Sequence, residues 1–190
     1  MAGQGAKSTV DMAVLSVVIE RPGHGYDIGT RFVSRYEGLY RTSVQNVYAN
    51  INRLRARGFI EPIDIEGEEP PVTRGQAPKA TFRATGTGAR TFRTWMAGPI
   101  SPAAARRELF TRMRALHVLR PNDYHGMLAL LDRYQDAVLR SIGFVGRGPA
   151  VTVVDELARE DHEATIEGQL RFCDAARETL LDLIARELAG

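Results

Sequence analysis

Between Arg41 and Ile60 the chain reads RTSVQNVYANINRLRARGFI, and its amide and guanidinium side chains recur at helical spacing. Val44, Val47, Tyr48, Ile51 and Leu54 form an apolar line with a 3.6-residue period. Gln45, Asn46, Asn50, Arg53, Arg55 and Arg57 fall on the opposite side. Carboxamides bond bidentately to base edges, and guanidiniums hold phosphates, so the pattern suits a helix that docks by one face and reads DNA by the other. Thr42 or Ser43 can cap its start by accepting an orphan backbone N–H. Gly58 stands where helices commonly stop. Taken alone, the segment reads equally well as a solvated amphipathic helix, and the elements around it decide between the two.

Upstream, Asp11 to Glu20 (DMAVLSVVIE) is a compact apolar helix. Pro22 and Gly23 interrupt the chain, and a second helix is expected to start near Tyr26 or Asp27. Downstream, Phe59 to Ile65 and Lys79 to Thr85 have strand-like composition and are expected to pair. A Gly/Pro-rich loop, Glu66 to Pro78, lies between them. Three helices followed by a two-stranded wing is the order of a winged helix-turn-helix domain.

With these blocks in place the chain resembles the PadR family of bacterial transcriptional regulators. The resemblance rests on His24-Gly25-Tyr26-Asp27-Ile28, on Ser43, Val47-Tyr48, Ile51, Arg53-Leu54 and Gly58-Phe59-Ile60, and on Gly75, Pro78-Lys79, Phe82, Thr85 and Gly88. Together they cover roughly residues 10 to 98. The family often has Pro-Gly where this chain has Val44-Gln45, and Pro after the tyrosine where it has Ala49, so base preference cannot be copied from another member. The resemblance implies the longer type of member, whose C-terminal helices dimerise. It also implies a response to small aromatic or drug-like effectors.

The second half reads as helices. Phe92, Trp95 and Met96 stripe one helix, and Gly98-Pro99 and Ser101-Pro102 mark a boundary. Ala103 to Leu119 is helical, Pro121-Asn122-Asp123 restarts a helix reaching about Val145, and Gly146 to Pro149 is a turn. A last helix runs from Val151 or Thr152 to near Leu188. Two long amphipathic helices in a hairpin leave apolar surface over, which a second copy can cover. The expected architecture is mainly α with a small two-stranded β wing. Residues 1–98 form the winged helix DNA-binding domain and residues 99–190 a helical dimerisation domain.

Composition is consistent with this reading. Residues 1–95 carry 13 Lys and Arg against 9 Asp and Glu, whereas residues 96–190 carry 12 against 14. Only Lys7 and Lys79 are lysines, an arginine bias that is not itself evidence for phosphate binding. Five of the nine acids in the first half cluster in Glu61 to Glu69. Phosphates would repel that cluster, so its acids are expected to point away while Arg74, Lys79 and Arg83 face the duplex. The cluster also supports the alternative, a winged helix interaction module without DNA binding. A single cysteine, Cys173, suits a reducing cytoplasm. No apolar run approaches the roughly 18 residues of a membrane span, and no secretory signal segment is evident.

No catalytic motif is present: there is no GxxxxGK[ST], HExxH or GxSxG, and His117, His125 and His162 lack metal-ligand spacing. An enzyme, a cofactor and a metal are therefore not expected. The residues expected to face double-stranded DNA are Tyr26, Thr42, Ser43, Gln45, Asn46, Tyr48, Asn50, Arg53, Arg74 and Lys79. The expected homodimer interface is Leu157, Ile166, Leu170, Cys173, Leu180 and Ile184. Phe92, Trp95, Tyr124 and Tyr134 are candidates for an effector site, although their helical spacing suits a core equally well.

Overall fold

A computed structural model describes residues 8–63, 80–142 and 152–189. Its elements are α1 (Thr9–Glu20), β1 (Gly23–His24), α2 (Gly25–Arg35), α3 (Val44–Ala56), β2 (Ile60–Ile63), β3 (Thr81–Ala84), α4 (Gly86–Ala97), a 3-10 turn (Pro102–Ala104), α5 (Ala105–Leu119), α6 (Tyr124–Ser141) and α7 (Val153–Ala189). The chain divides into two compact units. One is Met1–Gly98 with His117–Pro121, and the other is Pro99–Leu116 with Asn122–Gly190.

The first unit is built around α1. Its sequence is apolar on all sides, the pattern of a helix with no solvent face, and Asp11 through Val18 are all buried. Helices α2, α3 and α4 and strand β3 pack on it. Two polar residues enter this core with partners: the Ser16 hydroxyl bonds the Ala13 carbonyl and meets the Tyr36 hydroxyl, each at 2.7 Å. Phe32 stacks on Tyr36 with ring centroids 5.1 Å apart. Arg31 ties α2 to the end of α1 by donating to the Val17 and Arg21 carbonyls and to Asp27.

Helix α3 stops for a local reason. Gly58 adopts φ 67°, which lets its N–H reach the Arg55 carbonyl and the Phe59 N–H reach Leu54, each at 2.9 Å. This is the two-bond left-handed ending that glycine accommodates without a Cβ penalty. Ser43 is the N-cap residue, but its side chain makes no capping bond, so the expected hydroxyl cap is unused.

The sheet has three strands in the order β1-β3-β2, all antiparallel. Thus β2 and β3 pair as expected, and Asp64, Ile65 and Lys79 of their sequence runs lie outside the described residues. The added strand β1 covers the Pro22-Gly23 interruption, with Gly23 opposite Phe82 and His24 opposite Thr81. A two-residue strand has no alternation to read, and its pairing partner is far along the chain.

Helix α4 starts earlier than its apolar stripe. The Thr85 hydroxyl accepts from the Gly88 N–H and donates to the Gly58 carbonyl. This Thr-Gly-Thr-Gly run is therefore a helix cap. Gly88 lies against the backbone of Phe59, where an added Cβ would come within 2.1 Å of the carbonyl oxygen.

In the second unit, α6 and α7 form an antiparallel pair. Tyr134 meets Phe172 edge-on, and Arg177 bonds Asp132 at 2.7 Å and Gln135 at 2.8 Å. Phe110 of α5 packs on Phe172. Arg112, fully buried, pairs with Glu108 and donates to the Pro99 carbonyl at 3.0 Å. Glu108 in turn accepts the Ser101 N–H at 3.1 Å. Burial lowers the Arg112 pKa from its ordinary value, and Glu108 works against that shift. The pair pins the start of the unit through two backbone groups. The 3-10 turn takes the first residues of the expected Ala103 to Leu119 helix. The Gly146 to Pro149 turn and Val145 lie outside the described residues.

Because the α4 junction has no room, Gly88→Ala should cost about 1–3 kcal/mol of stability, the usual penalty of forced overpacking. Urea unfolding of the purified chain measures it. A loss below about 0.5 kcal/mol, the range of an ordinary surface change, would show that Phe59 yields.

Candidate nucleic-acid interface

The face of α3 directed away from α1 carries the chemistry. Val47, Ile51 and Leu54 are buried. At about 100° per residue, the positions opposite them are Gln45, Ala49, Asn52 and Ala56, and all four are exposed. Asn46 and Arg53 flank this stripe on one side, and Tyr48 and Arg55 on the other. The centre of the face is therefore two amides and two methyl groups. Amides can read adenine edges, and a methyl side chain can approach a thymine methyl.

Two residues fall differently from the sequence expectation. Asn50, placed on the outer face, is 8% exposed and points inward, where its carbonyl oxygen accepts from Arg53. Tyr48, placed on the apolar line, is 41% exposed, with its ring against Gly25 at the start of α2. Assigning Tyr48 to the docking face rotates the helical wheel, and that rotation hid Ala49 and Asn52. The signal was available: both continue from Gln45 at i+4 and i+7.

Arg53 is held as well. It donates to Asp11 from Nε at 3.2 Å and from Nη2 at 3.0 Å. Arg57 Nη1 stands 3.5 Å from the other oxygen of the same carboxylate. Tyr26, on the first turn of α2, is 62% exposed. Thr42 is half-buried and Ser43 exposed. Arg83 pairs with Glu61 at 2.8 Å across β2 and β3, so on the strands this acid is matched and this arginine is engaged. Arg74, Lys79 and the acids at 64–69 lie outside the described residues.

The remaining expected sites divide by unit. Phe92 and Trp95 are buried in the first unit, ring against ring. In the second, Tyr134 is buried against Phe172, and Tyr124 is half-buried with its hydroxyl donating to Asn122. Of the expected interface set, Ile166, Cys173 and Leu180 are buried within the single chain, Leu170 and Ile184 are half-buried, and Leu157 is exposed. Leu139, Ile142, Val153, Val154, Leu181 and Leu188 are exposed too. Burial, with Asp174 adding, pushes the Cys173 thiol pKa up. That disfavours a reactive thiolate. Among the described residues no group of three acids, histidines or cysteines could hold a metal ion. Nor is any helix of the described residues long and apolar enough to cross a membrane.

Residues 14–94 match the sequence model of the transcriptional regulator PadR-like family. They span α1 from its second turn through most of α4, and so include α3 and the strands. Over this segment the chain is similar to the PadR-like family of transcriptional regulators. Among solved structures, the chain is similar to Bacillus subtilis PadR in complex with operator DNA, at 15% identity over 92% of this chain and 98% of that one, with a TM-score of 0.38. It is similar also to a PadR-like transcriptional regulator from Bacillus cereus, at 17% identity over 96% and 99%, with a TM-score of 0.41. Superpositions this loose add nothing to the family likeness, which rests on the matched segment. No curated relative matches the chain.

The two asparagines of α3 should separate in stability. Asn50→Ala removes a buried acceptor and should lower stability by about 1 kcal/mol. Asn52→Ala, on the open face, should stay within about 0.5 kcal/mol of the native chain. Thermal melts of the two variants decide it, and the reverse order would mean that the faces of α3 are misassigned.

Proposed function

We propose that this chain is a PadR-like transcriptional regulator that binds double-stranded DNA in a sequence-specific way, as a homodimer on a palindromic operator, and acts as a ligand-responsive repressor. Residues 1–98 are the DNA-binding domain of this reading and residues 99–190 the dimerisation domain. The observation that carries it is the exposed amide stripe of α3, backed by an α1 buried from Asp11 to Val18. A polar face on a rigid support is what base readout requires, because discrimination depends on fixed donor and acceptor positions. Tyr26, Thr42, Ser43, Gln45, Asn46, Tyr48 and Arg53 surround that face, and Asn52 joins them. Asn50 acts from behind by holding Arg53. Arg74 and Lys79 take phosphates or the minor groove beside the wing.

Dimerisation is supported by length and exposure. Helix α7 has 37 residues and α6 has 18, or roughly 55 Å against 27 Å at 1.5 Å per residue. Arg177 opposite Asp132 sets the antiparallel register. In that register the first turns of α7 extend past the end of α6. They carry exposed Val153, Val154 and Leu157, and Leu139 and Ile142 towards the end of α6 are exposed too. A second copy would cover this apolar surface. Ile166, Cys173 and Leu180 then support the interface from inside the hairpin.

A small aromatic or drug-like effector belongs to this reading through Phe92, Trp95, Tyr124 and Tyr134, and Tyr124 keeps the most open ring of the four. The competing module without DNA binding rests on the acidic 61–69 segment. Its one described anchor, Glu61, is neutralised by Arg83.

DNA selected from a random pool by the purified protein tests the reading directly. Gln45→Ala, Asn46→Ala and Asn52→Ala should each relax preference at particular base pairs, with about 1–3 kcal/mol of discrimination at stake per lost amide. Alanine at Arg74 or Lys79 should instead weaken all sequences alike and flatten the salt dependence by about 0.9 in log–log slope per lost phosphate contact. If the pool yields no enriched sequence, the interaction-module reading takes over.

The oligomer has its own test. The protein should sediment as a dimer at micromolar concentration. Leu157→Asp, at an exposed apolar position, should weaken self-association while the hairpin stays folded, whereas Leu180→Asp places a charge inside the hairpin and should unfold it. A monomeric native protein, with and without DNA, rules the dimer out.

A further inference from the structure

The carboxylate of Asp11 is the one acid of α1 inside the core, 1% exposed, and it faces α3 rather than solvent. Its Oδ1 accepts two bonds from Arg53. Its Oδ2 has no hydrogen-bond partner and stands 3.5 Å from Arg57 Nη1, close enough for an ion pair. Arg53 also bonds the inward-pointing Asn50. The two guanidiniums lie one turn apart on one flank of α3, and their side chains are 49% and 40% exposed. Each is thus held at its inner side by a fixed anion and open to water at its outer side. Nearby Arg55, on the other flank, is exposed.

We infer that Asp11 is a positioning residue for the DNA-facing helix: it fixes Arg53 and Arg57 on α3 and cancels part of their charge, so that base readout outweighs indiscriminate phosphate attraction. This rests on the reading of α3 as the DNA-binding element. A free guanidinium on a long side chain reaches whichever phosphate is nearest, and phosphate contacts carry no sequence information. Two cations sharing a buried carboxylate present one net positive charge rather than two. They also present it in a set direction, since Arg53 is oriented by a carboxylate and an amide together. A purely structural ion pair would have its cation buried as well, as Arg112 is with Glu108. Here the anion is buried and the cations are not.

Asp11→Asn tests this with minimal change of shape. Because Arg53 and Arg57 already reach water, loss of the anion strands no buried cation, so the variant should fold. Wild type, Asp11→Asn and Glu37→Gln are titrated over a range of salt with the pool-selected duplex and with a scrambled duplex. Glu37 is exposed in the connection between α2 and α3, and its variant controls for one added positive charge.

Asp11→Asn should steepen the log–log salt slope by about 0.9 for each released guanidinium that finds a phosphate. Binding to the scrambled duplex should tighten about tenfold at low salt, and the ratio of selected to scrambled affinity should fall. Glu37→Gln should leave that ratio as it is. Equal ratios in wild type and Asp11→Asn, or an equal fall in Glu37→Gln, overturn the inference while leaving DNA binding intact. A wild type that binds neither duplex overturns the DNA reading itself. If Asp11→Asn fails to fold, arginine side-chain NMR of the native protein decides. Rotation about Nε–Cζ should be hindered for Arg53 and fast for Arg55, with and without DNA, and fast rotation of Arg53 overturns the inference.

Discussion

The first unit depends on keeping α1 out of water on every side. Helices α2, α3 and α4 and strand β3 all lean on it, and its Met12, Val14, Leu15, Val17 and Val18 are essentially inaccessible. Each such side chain contributes about 1.5–3 kcal/mol when fully buried. A helix only twelve residues long would be marginal by itself, so α1 and its neighbours stabilise one another or fall apart together. The consequence for function is mechanical. Helix α3 presents an open polar face because its opposite face is anchored on an element buried from Asp11 to Val18.

How much of this was legible follows from what each residue type can signal. The α3 helix was evident because Val47, Ile51 and Leu54 recur at the right period and Gly58 marks its end. The inward turn of Asn50 was not, because an amide carries no label for the side it takes, and its partner Arg53 is fixed by Asp11, far away in sequence. Tyr48 misled in the other direction: a ring with a polar tip fits an apolar line and an exposed flank equally well. Strand β1 was invisible because two residues cannot show a period. In the second unit the helices were clear from their apolar lines. The division of that line was not: Leu180 is buried and its neighbour Leu181 exposed, a distinction set by where α6 lies.

The second unit solves a different problem from the first. Its helices are longer, and a buried ion pair, Arg112 with Glu108, closes the chain entry by also holding Pro99 and Ser101. Exchanging such a pair for apolar residues is often neutral or stabilising, but removing one member is costly. Its value here lies in specificity of the turn. The guanidinium satisfies a carbonyl and the carboxylate an amide N–H just where Pro99 and Pro102 deny the chain regular helix bonds.

Asp11 and Glu108 are both buried carboxylates bonded to arginine, and their surroundings make them do opposite things. Glu108 bonds an arginine that is itself inaccessible, so the pair is closed and its charge is spent inside the unit. Asp11 bonds arginines whose outer halves stay in water, so the pair is open and its field reaches the surface. A protein that must find one sequence among many has reason to restrain charge on its reading helix, because unrestrained arginines favour every duplex alike. The same anchor that gives α3 a rigid back thus also limits what its flank can do. In the proposed reading of α3, support and selectivity meet in one side chain of the buried helix.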